Sequence, residues 1–201
     1  MKRIVLGVSG ASGAAIALRI AGLLRDVPDV ETHLVVSRAA ERTLAHEVGP
    51  DALDGLTRLA WRRYTIDDVG APIASGSFAT AGMIVAPCSM RTLSAIAAGI
   101  ADNLLVRAAD VHLKERRRLV LVARESPLHQ GHLRAMLQVT ECGAIVAPPV
   151  PAFYHRPRDM ADIIDQLARR TIDLLALSDS PLAAPWSGDL TLSPLARRES
   201  G

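Results

Sequence analysis

The first structural signal in the chain lies between Arg3 and Arg25, where the sequence reads RIVLGVSGASGAAIALRIAGLLR. The run from Arg3 to Val8 is apolar enough for a buried strand, and the stretch from Ala14 to Arg25 has apolar side chains at helical spacing. A glycine-rich turn over residues 9–13 connects the two. A buried strand, a glycine loop and a helix in this order are typical of the first unit of a doubly wound parallel sheet.

The same alternation continues along the chain. Apolar runs predict further strands at 32–36, 83–86, 119–123 and 144–147, and helical patterns lie at 39–48, 92–98, 104–116, 131–139 and 160–177. We therefore predict a single α/β domain over residues 1–177, built on a three-layer Rossmann-like (flavodoxin-like) parallel sheet, and a C-terminal tail over 178–201. Ligands of such sheets bind beyond the carboxyl ends of the strands.

The composition excludes several classes of protein. A length of 201 residues fits one domain, and 49% apolar with 22% charged residues is the balance of a globular chain. Aromatic residues are only 3%, which argues against stacking of single-stranded nucleic acid. Two cysteines cannot form a cysteine zinc site, and His129 and His132 favour capping or surface roles, so no metal is expected. No membrane span or signal peptide is recognised, so we expect a cytoplasmic protein with no membrane or nucleic-acid partner.

Arginine supplies almost all of the positive charge, since Lys2 and Lys114 are the two lysines among 23 basic residues. Arginines beside apolar segments favour anion sites and subunit contacts. The charged residues in this setting are Arg107, Lys114, Arg124, Glu125 and Arg170. Their pattern leaves two interpretations open, an anionic ligand or salt bridges between subunits. The run 116–118, three arginines, is expected to form a solvated turn.

Three loops offer groups that a ligand would use. The turn 10–13 has the glycines and free N–H groups that favour a phosphate, with a plain tight turn as the alternative. Ser89 and Thr92 suit an anion or a ring carbonyl, or else simply cap a helix, and Cys88 is expected to be a buried thiol. The stiff loop 148–157 carries Tyr154, which suits a small ligand with one charged end or packs as a plug.

Six stretches, taken in order, resemble the UbiX-type flavin prenyltransferase family. They read GVSGASGA, ETHLVVSRAA, SGSF, APCSMRTLSAIA, RAADVHLKERRRLVLVARESPLHQGHL and VPAFYHRP, and with the following helix they run from residue 1 to about 175. The resemblance implies a Rossmann-like flavoprotein that assembles as a homododecamer, of a group formerly classed as aromatic acid decarboxylases. The implied reaction joins reduced FMN and dimethylallyl phosphate into prenylated FMN, the cofactor of UbiD-type decarboxylases.

The resemblance also implies a role for individual residues. FMN would be held by Gly10, Ala11, Ser12, Ser37, Ser89, Met90, Arg91, Thr92 and Arg124. Dimethylallyl phosphate would be held by Ser75, Arg107, Lys114, Arg124, Tyr154 and Arg170, with Trp186 closing the pocket from a neighbouring subunit. Lys114 and Arg124 would act as catalytic cations. Glu47 and Glu125 would be the proton-transfer or charge-stabilising groups near the reacting centre.

Two other functions remain as alternatives. An FMN-dependent cysteine decarboxylase shares this fold, but it needs a catalytic histidine early in the chain and a PASANT-like loop. SGSFAT and PCSMRT stand where such a loop would lie. A non-catalytic flavin carrier is the other alternative.

Overall fold

The computed structural model describes residues 1–186 and 188, and these contain six strands and seven α-helices. The strands are β1 (Lys2–Val8), β2 (Val30–Val36), β3 (Arg62–Tyr64), β4 (Gly82–Cys88), β5 (Leu119–Ala123) and β6 (Ile145–Val146). The helices are α1 (Ala14–Arg25), α2 (Arg38–Glu47), α3 (Ala52–Leu59), α4 (Met90–Ala97), α5 (Leu104–Lys114), α6 (Gln130–Glu141) and α7 (Met160–Asp173). Single 3-10 turns lie at Pro72–Ala74 and Phe153–His155.

The six strands form one parallel sheet in the order β3-β2-β1-β4-β5-β6. This is the strand order of a Rossmann fold. When the three-residue edge strand β3 is left out, the order becomes the flavodoxin-like one. The predicted fold class is therefore confirmed, and the point where the strand order reverses lies between β1 and β4.

Alternate side chains of each strand enter two separate cores. On β1, Val5 packs with α4, α5 and α6, whereas Ile4 and Leu6 pack with α1, α2, α3 and α7. All three side chains are fully buried, as expected of a parallel sheet covered on both faces. Burying a side chain of this size contributes about 1.5–3 kcal/mol, so the uninterrupted apolar runs that identified the strands also stabilise the three layers.

The edge strand β3 and the helix α3 before it were not predicted. β3 reads Arg62-Arg63-Tyr64, and nothing in that triplet is typical of a buried strand. It is a strand because its backbone pairs with His33–Val35 of β2. The Arg62 guanidinium lies over the Tyr64 ring at 4.9 Å, which covers the one buried side chain of the triplet.

The last helix is shorter than its sequence pattern predicts. α7 ends at Asp173 instead of continuing to 177, and Ala176 has a left-handed backbone with φ of 50°. The Asp173 carboxylate then accepts the N–H groups of Leu182 and Ala183 at 2.7 and 3.0 Å. The predicted tail therefore begins as a segment held against α7, and residues 187 and 189–201 lie outside the described part.

An ion-pair network fixes α7 against α1. The Asp165 carboxylate of α7 accepts the Arg19 Nε–H of α1 at 2.6 Å and the Arg169 Nε–H of its own helix at 2.6 Å. Charge-assisted bonds of this kind are the stronger class of hydrogen bond. Within the described residues, the structure has no helix of the length and apolar character that crossing a membrane requires.

Candidate functional site

Ser9 joins the carboxyl ends of two strands and was not among the predicted site residues. Its side chain is buried, and its Oγ accepts the Ser89 N–H at 2.7 Å and donates to the Pro87 carbonyl at 3.0 Å. The Arg124 N–H, at the end of β5, donates to the Cys88 carbonyl at 3.1 Å. The loops after β1, β4 and β5 therefore leave the same edge of the sheet, the edge at which the sequence predicts that ligands bind.

Two of the predicted flavin residues cap helices at this edge. Ser37 Oγ accepts the Ala40 N–H at 3.1 Å, which begins α2, and Ser89 Oγ accepts the Thr92 N–H at 3.3 Å, which begins α4. Ser89 thus caps α4, and the role of Ser89 and Thr92 toward an anion or a ring carbonyl stays a prediction. The same caps direct the positive ends of two helix dipoles, and the first-turn N–H groups of Met90 and Arg91, to the edge where an anion would bind.

The start of α1 is occupied by a carboxylate of the chain itself. Glu47 accepts the N–H groups of Gly13 and Ala14 at 2.9 and 2.8 Å, the donors that the sequence had assigned to a phosphate. Gly10 has a packing role as well, because a Cβ there would overlap the Cβ of Ala39 on α2. The role of Gly10, Ala11 and Ser12 toward FMN stays a prediction, but α1 does not offer its N-terminus free.

The charge of Glu47 is stabilised by its surroundings. Partial burial works to raise its pKa, but hydrogen bonds from Ser12, Gly13 and Ala14 and the positive charge of Arg124 outweigh burial and hold the pKa below its usual value. A carboxylate of this kind is ionised at neutral pH and is a weak base. Of the two roles implied for Glu47, the geometry favours charge stabilisation over proton transfer.

Glu125 has a different environment from Glu47. It lies next to Arg124 on the exposed loop after β5, and its Oε1 accepts the N–H of Ser126 at 3.1 Å. That single contact leaves the second carboxylate oxygen available for another donor. The implied proton-transfer role of Glu125 stays a prediction.

Two adjoining cavities connect four of the predicted residues. An apolar cleft of about 330 Å³ is lined by Ser12 and Arg124 together with side chains of α7. A second cavity of about 190 Å³ is lined by Tyr154 and Arg170, and Leu167 lines both. The structure thus brings Ser12, Arg124, Tyr154 and Arg170 to one region, beside the carboxyl edge of the sheet.

Trp186 contacts Tyr154 of its own chain, with the ring centroids 5.0 Å apart in an edge-to-face arrangement. The sequence resemblance had implied that this tryptophan closes the pocket of a neighbouring subunit. Both rings are more than half exposed. In the single chain, Trp186 therefore lies at the rim of the cavity that Tyr154 lines.

Arg91 does not lie free at the predicted flavin site. Its guanidinium forms an ion pair with Asp102 at 2.8 Å, and both side chains are largely exposed. The pair joins the first turn of α4 to the loop before α5. A surface pair of this kind contributes little to stability, so an anion would compete with Asp102 at small cost.

The remaining predicted substrate residues form a second group on α5. Arg107 and Lys114 are seven residues apart and so share one face of the helix, about 10 Å apart along its axis. The Arg107 Nε–H donates to the Ala74 carbonyl at 3.2 Å, next to Ser75, and Lys114 pairs with Glu115. Ser75, Arg107 and Lys114 therefore lie together.

This second group lies away from Arg124. α5 runs against the strand direction, so Lys114 at its end lies at the amino edge of the sheet, whereas Arg124 follows the carboxyl end of β5. The strand between residues 118 and 124 spans about 20 Å at 3.3 Å per residue. The expectation that Lys114 and Arg124 share a site is therefore not met within one chain.

Neither a reactive cysteine nor a metal site is found among the described residues at this edge. Complete burial raises the pKa of the Cys88 thiol to about 12, so this residue is a thiol at neutral pH, as the sequence indicated. Among the described residues, no three side chains of His, Cys, Asp or Glu gather in a group that could hold a metal ion.

Comparison of the sequence with known proteins identifies the family to which the chain belongs. The model of the Flavoprotein family matches residues 1–171. The chain is 51% identical over 189 residues to the flavin prenyltransferase UbiX of Escherichia coli K12, a match that covers 94% of this chain and all of that protein.

Solved structures agree with the sequence comparison. AnUbiX, crystallised in complex with FMN and dimethylallyl pyrophosphate, superposes with a TM-score of 0.84 at 49% identity, covering 88% of this chain and 93% of that one. A dodecameric FMN-dependent UbiX-like decarboxylase from Escherichia coli O157:H7 superposes with a TM-score of 0.88 at 45% identity, covering 92% and 100% of the two chains.

Proposed function

This chain belongs to the UbiX-type flavin prenyltransferases, and from that premise we propose that it joins the dimethylallyl group of dimethylallyl phosphate to reduced FMN. N5 of the flavin bonds to the carbon that carried the phosphate, whose carbon–oxygen bond breaks, and C6 bonds to the far carbon of the dimethylallyl double bond. The flavin loses one proton from N5 and one from C6, while one proton goes to the released phosphate and one to the remaining carbon of the former double bond, so the products are prenylated FMN and inorganic phosphate. The observation that carries the proposal is the pairing of an anion-binding strand edge with the adjoining apolar cleft beside Arg124.

The carboxyl edge fits a flavin phosphate through its donors. The hydroxyls of Ser37 and Ser89 already begin α2 and α4, and both helices have their N-termini at the carboxyl edge of the sheet, where helix N-termini favour an anion. The apolar lining of the neighbouring cleft suits a prenyl chain or a face of the ring system. Reduced FMN supplies the electron-rich ring, and the residues of the chain bind, orient and exclude water.

The cations of the site stabilise the departing phosphate. Arg124 and Arg170 carry permanent charge, and the Tyr154 hydroxyl lies in the same cavity as Arg170. Donors aimed at an oxygen that gains charge in the transition state are worth about 10²–10³ in rate each. Glu125, beside Arg124, accepts the proton that the flavin ring loses, or passes it to the phosphate.

A second copy of the chain completes the site. Lys114 lies about 20 Å from Arg124 along the strand direction in one protomer, so its proposed contact with the same phosphate requires that a neighbour supplies it, and we propose that Arg107 and Ser75 come from that neighbour as well. The dodecameric relative supports an assembly in which such contacts form. We extend that assembly, a homododecamer, to this chain.

The product implies a recipient. Prenylated FMN is the cofactor that the sequence resemblance assigns to UbiD-type decarboxylases, so we propose such an enzyme as the consumer of the product. The cytoplasmic location stays a prediction from the sequence. The cysteine decarboxylase and carrier alternatives are not favoured, because the relatives at about half identity are named flavin prenyltransferases.

Mass spectrometry of the flavin tests the proposed reaction directly. Anaerobic incubation of the protein with reduced FMN and dimethylallyl phosphate is expected to add one C5H8 unit to the flavin and to release one phosphate for each flavin converted. A parallel reaction with dimethylallyl pyrophosphate compares the two leaving groups. Bound FMN that keeps its mass in both reactions would instead indicate a flavin carrier.

A further inference from the structure

Arg117 is a half-buried guanidinium with three acceptors on one loop. It donates to the carbonyls of Gly76 and Phe78 at 2.6 and 3.0 Å and to the Thr80 hydroxyl at 3.2 Å, and its side chain is only 18% exposed. The prediction of a solvated turn over 116–118 is wrong for this residue. Because one planar guanidinium donates to all three acceptors, it holds the loop 76–80 against the end of α5.

The same loop lies directly against Lys114. A Cβ added at Gly76 would lie 2.8 Å from the Lys114 ammonium and would overlap the Glu115 carboxylate. Gly76 therefore allows the loop backbone to lie beside the Lys114–Glu115 pair. Arg117 also lies 4.0 Å from the carboxylate of Glu115, the residue that pairs with Lys114. Arg117 therefore contacts both the loop and the ion-pair partner of the lysine.

Within the framework of the proposed function, we propose that Arg117 is a positioning residue for Lys114. By holding Gly76 and Glu115 together, it fixes the ammonium next to Ser75 before any phosphate binds. A free lysine side chain has many rotamers, and restricting them in advance removes an entropy cost from binding. When the phosphate binds, it replaces Glu115 as the partner of the Lys114 ammonium, and Glu115 stays close to the positive charge of Arg117.

The competing explanation is that Arg117 only stabilises the fold at the amino edge of the sheet. Its acceptors are backbone carbonyls and one hydroxyl, which is also what a purely structural arginine would have. The two explanations differ in one respect. A positioning residue acts through Lys114, so its loss has no effect on catalysis once Lys114 is absent, whereas a structural defect adds to any other defect.

A double-mutant cycle in the assembled protein makes this distinction. The variants are Arg117→Gln, Lys114→Ala and the combination, assayed for phosphate release from dimethylallyl phosphate with reduced FMN. Arg117→Gln is expected to lower kcat/KM about tenfold, as a small displacement of a catalytic group does, and to cause no further loss in the Lys114→Ala background. FMN affinity is expected to stay at the wild-type value.

Arg116→Gln is the matched control, because it removes the same charge from the neighbouring exposed position. Its kcat/KM is expected to remain within about twofold of wild type, as for a surface substitution. Equal losses in Arg116→Gln and Arg117→Gln, or additive losses with Lys114→Ala, would overturn the proposal. A wild-type protein that releases no phosphate would overturn the proposed function itself, which is a separate result.

A second substitution decides the question if Arg117→Gln does not fold. Gly76→Ala leaves Arg117 in place and displaces Glu115 and Lys114, whereas Gly70→Ala adds a methyl group in the same connection with only an ordinary 3.7 Å contact to Asp68. Gly76→Ala is expected to lower kcat/KM non-additively with Lys114→Ala, and Gly70→Ala to leave it unchanged. Wild-type kcat/KM in Gly76→Ala contradicts the proposal.

Discussion

Mixing two inactive variants is expected to restore activity, because the proposed site takes residues from two chains. Lys114 ends α5 at the amino edge of the sheet and Arg124 follows β5 at the carboxyl edge. Lys114→Ala removes a cation from one half of every shared site, and Arg124→Ala removes a cation from the other half. Each variant alone is expected to lose about 10²–10³ in rate, the usual cost of one donor to a developing anion.

The size of the recovery follows from random assembly. Each site pairs Arg124 of one protomer with Lys114 of another, and in an equal mixture each of these positions is intact in half of the protomers. About a quarter of the sites then have both cations, so the mixed oligomer is expected to reach about 25% of the wild-type rate. If Lys114 and Arg124 acted within one chain, no site in the mixture would be complete.

Co-expression with two different affinity tags and successive purification isolates the mixed oligomers, and phosphate release measures their rate. Arg124→Ala mixed with Arg170→Ala is the matched control, since both residues lie on the same half of the proposed site and every site keeps a defect. Recovery in the first mixture alone is expected. Mixed oligomers that stay at about 1% of the wild-type rate would refute a site shared between chains.

Three further outcomes are expected. Arg170→Ala, with folding and FMN binding checked separately, is expected to lower the prenylation rate by about 10²–10³. Tyr154→Phe is expected to lower the rate by less, because only one hydroxyl is lost. A wild-type rate in Arg170→Ala contradicts the proposed phosphate site. Ser12→Asp is expected to weaken FMN binding in a fluorescence titration, since it adds a negative charge beside Glu47, and unchanged affinity places the flavin elsewhere. Burial lowers the pKa of His112 to about 4, so as the pH falls below about 6.5 the unfolded chain binds a proton before the folded chain does. Urea unfolding is therefore expected to show that the free energy of unfolding falls by up to about 3 kcal/mol between pH 6.5 and 4. If a His112→Gln variant shows the same fall, the effect comes from other groups.

The sequence predicted best those elements whose own side chains determine their structure. β1 and α1 were predicted within one residue of their observed ends, because both faces of the strand and one face of the helix are apolar. β3 was missed because its structure depends on the free edge of β2 and not on its own polar triplet. α7 was predicted too long, because the contact that follows its end joins Asp173 to residues nine and ten positions later.

The candidate site was predictable in its residue types and not in their partners. The glycines, serines and arginines of the predicted loops indicated groups that would bind an anion, and the family resemblance implied that Glu47 lies near the reacting centre. The contact of Glu47 with Gly13 spans 34 residues, and that of Arg117 with Gly76 spans 41. In each contact the partner of the side chain is a backbone group, the Gly13 N–H for Glu47 and the Gly76 carbonyl for Arg117, so no pattern of side chains indicates the contact in advance.

The division of the site between two edges follows from the fold itself. In a doubly wound sheet each helix runs against its strands, so a residue at the end of a strand and one at the end of the next helix lie at opposite edges. Arg124 and Lys114 occupy those two kinds of position, and no loop rearrangement short of unfolding α5 or β5 moves them together within one chain. Under the proposed function, a phosphate contacts Lys114 and Arg124 together only when copies of the chain lie side by side, so the proposed chemistry requires assembly.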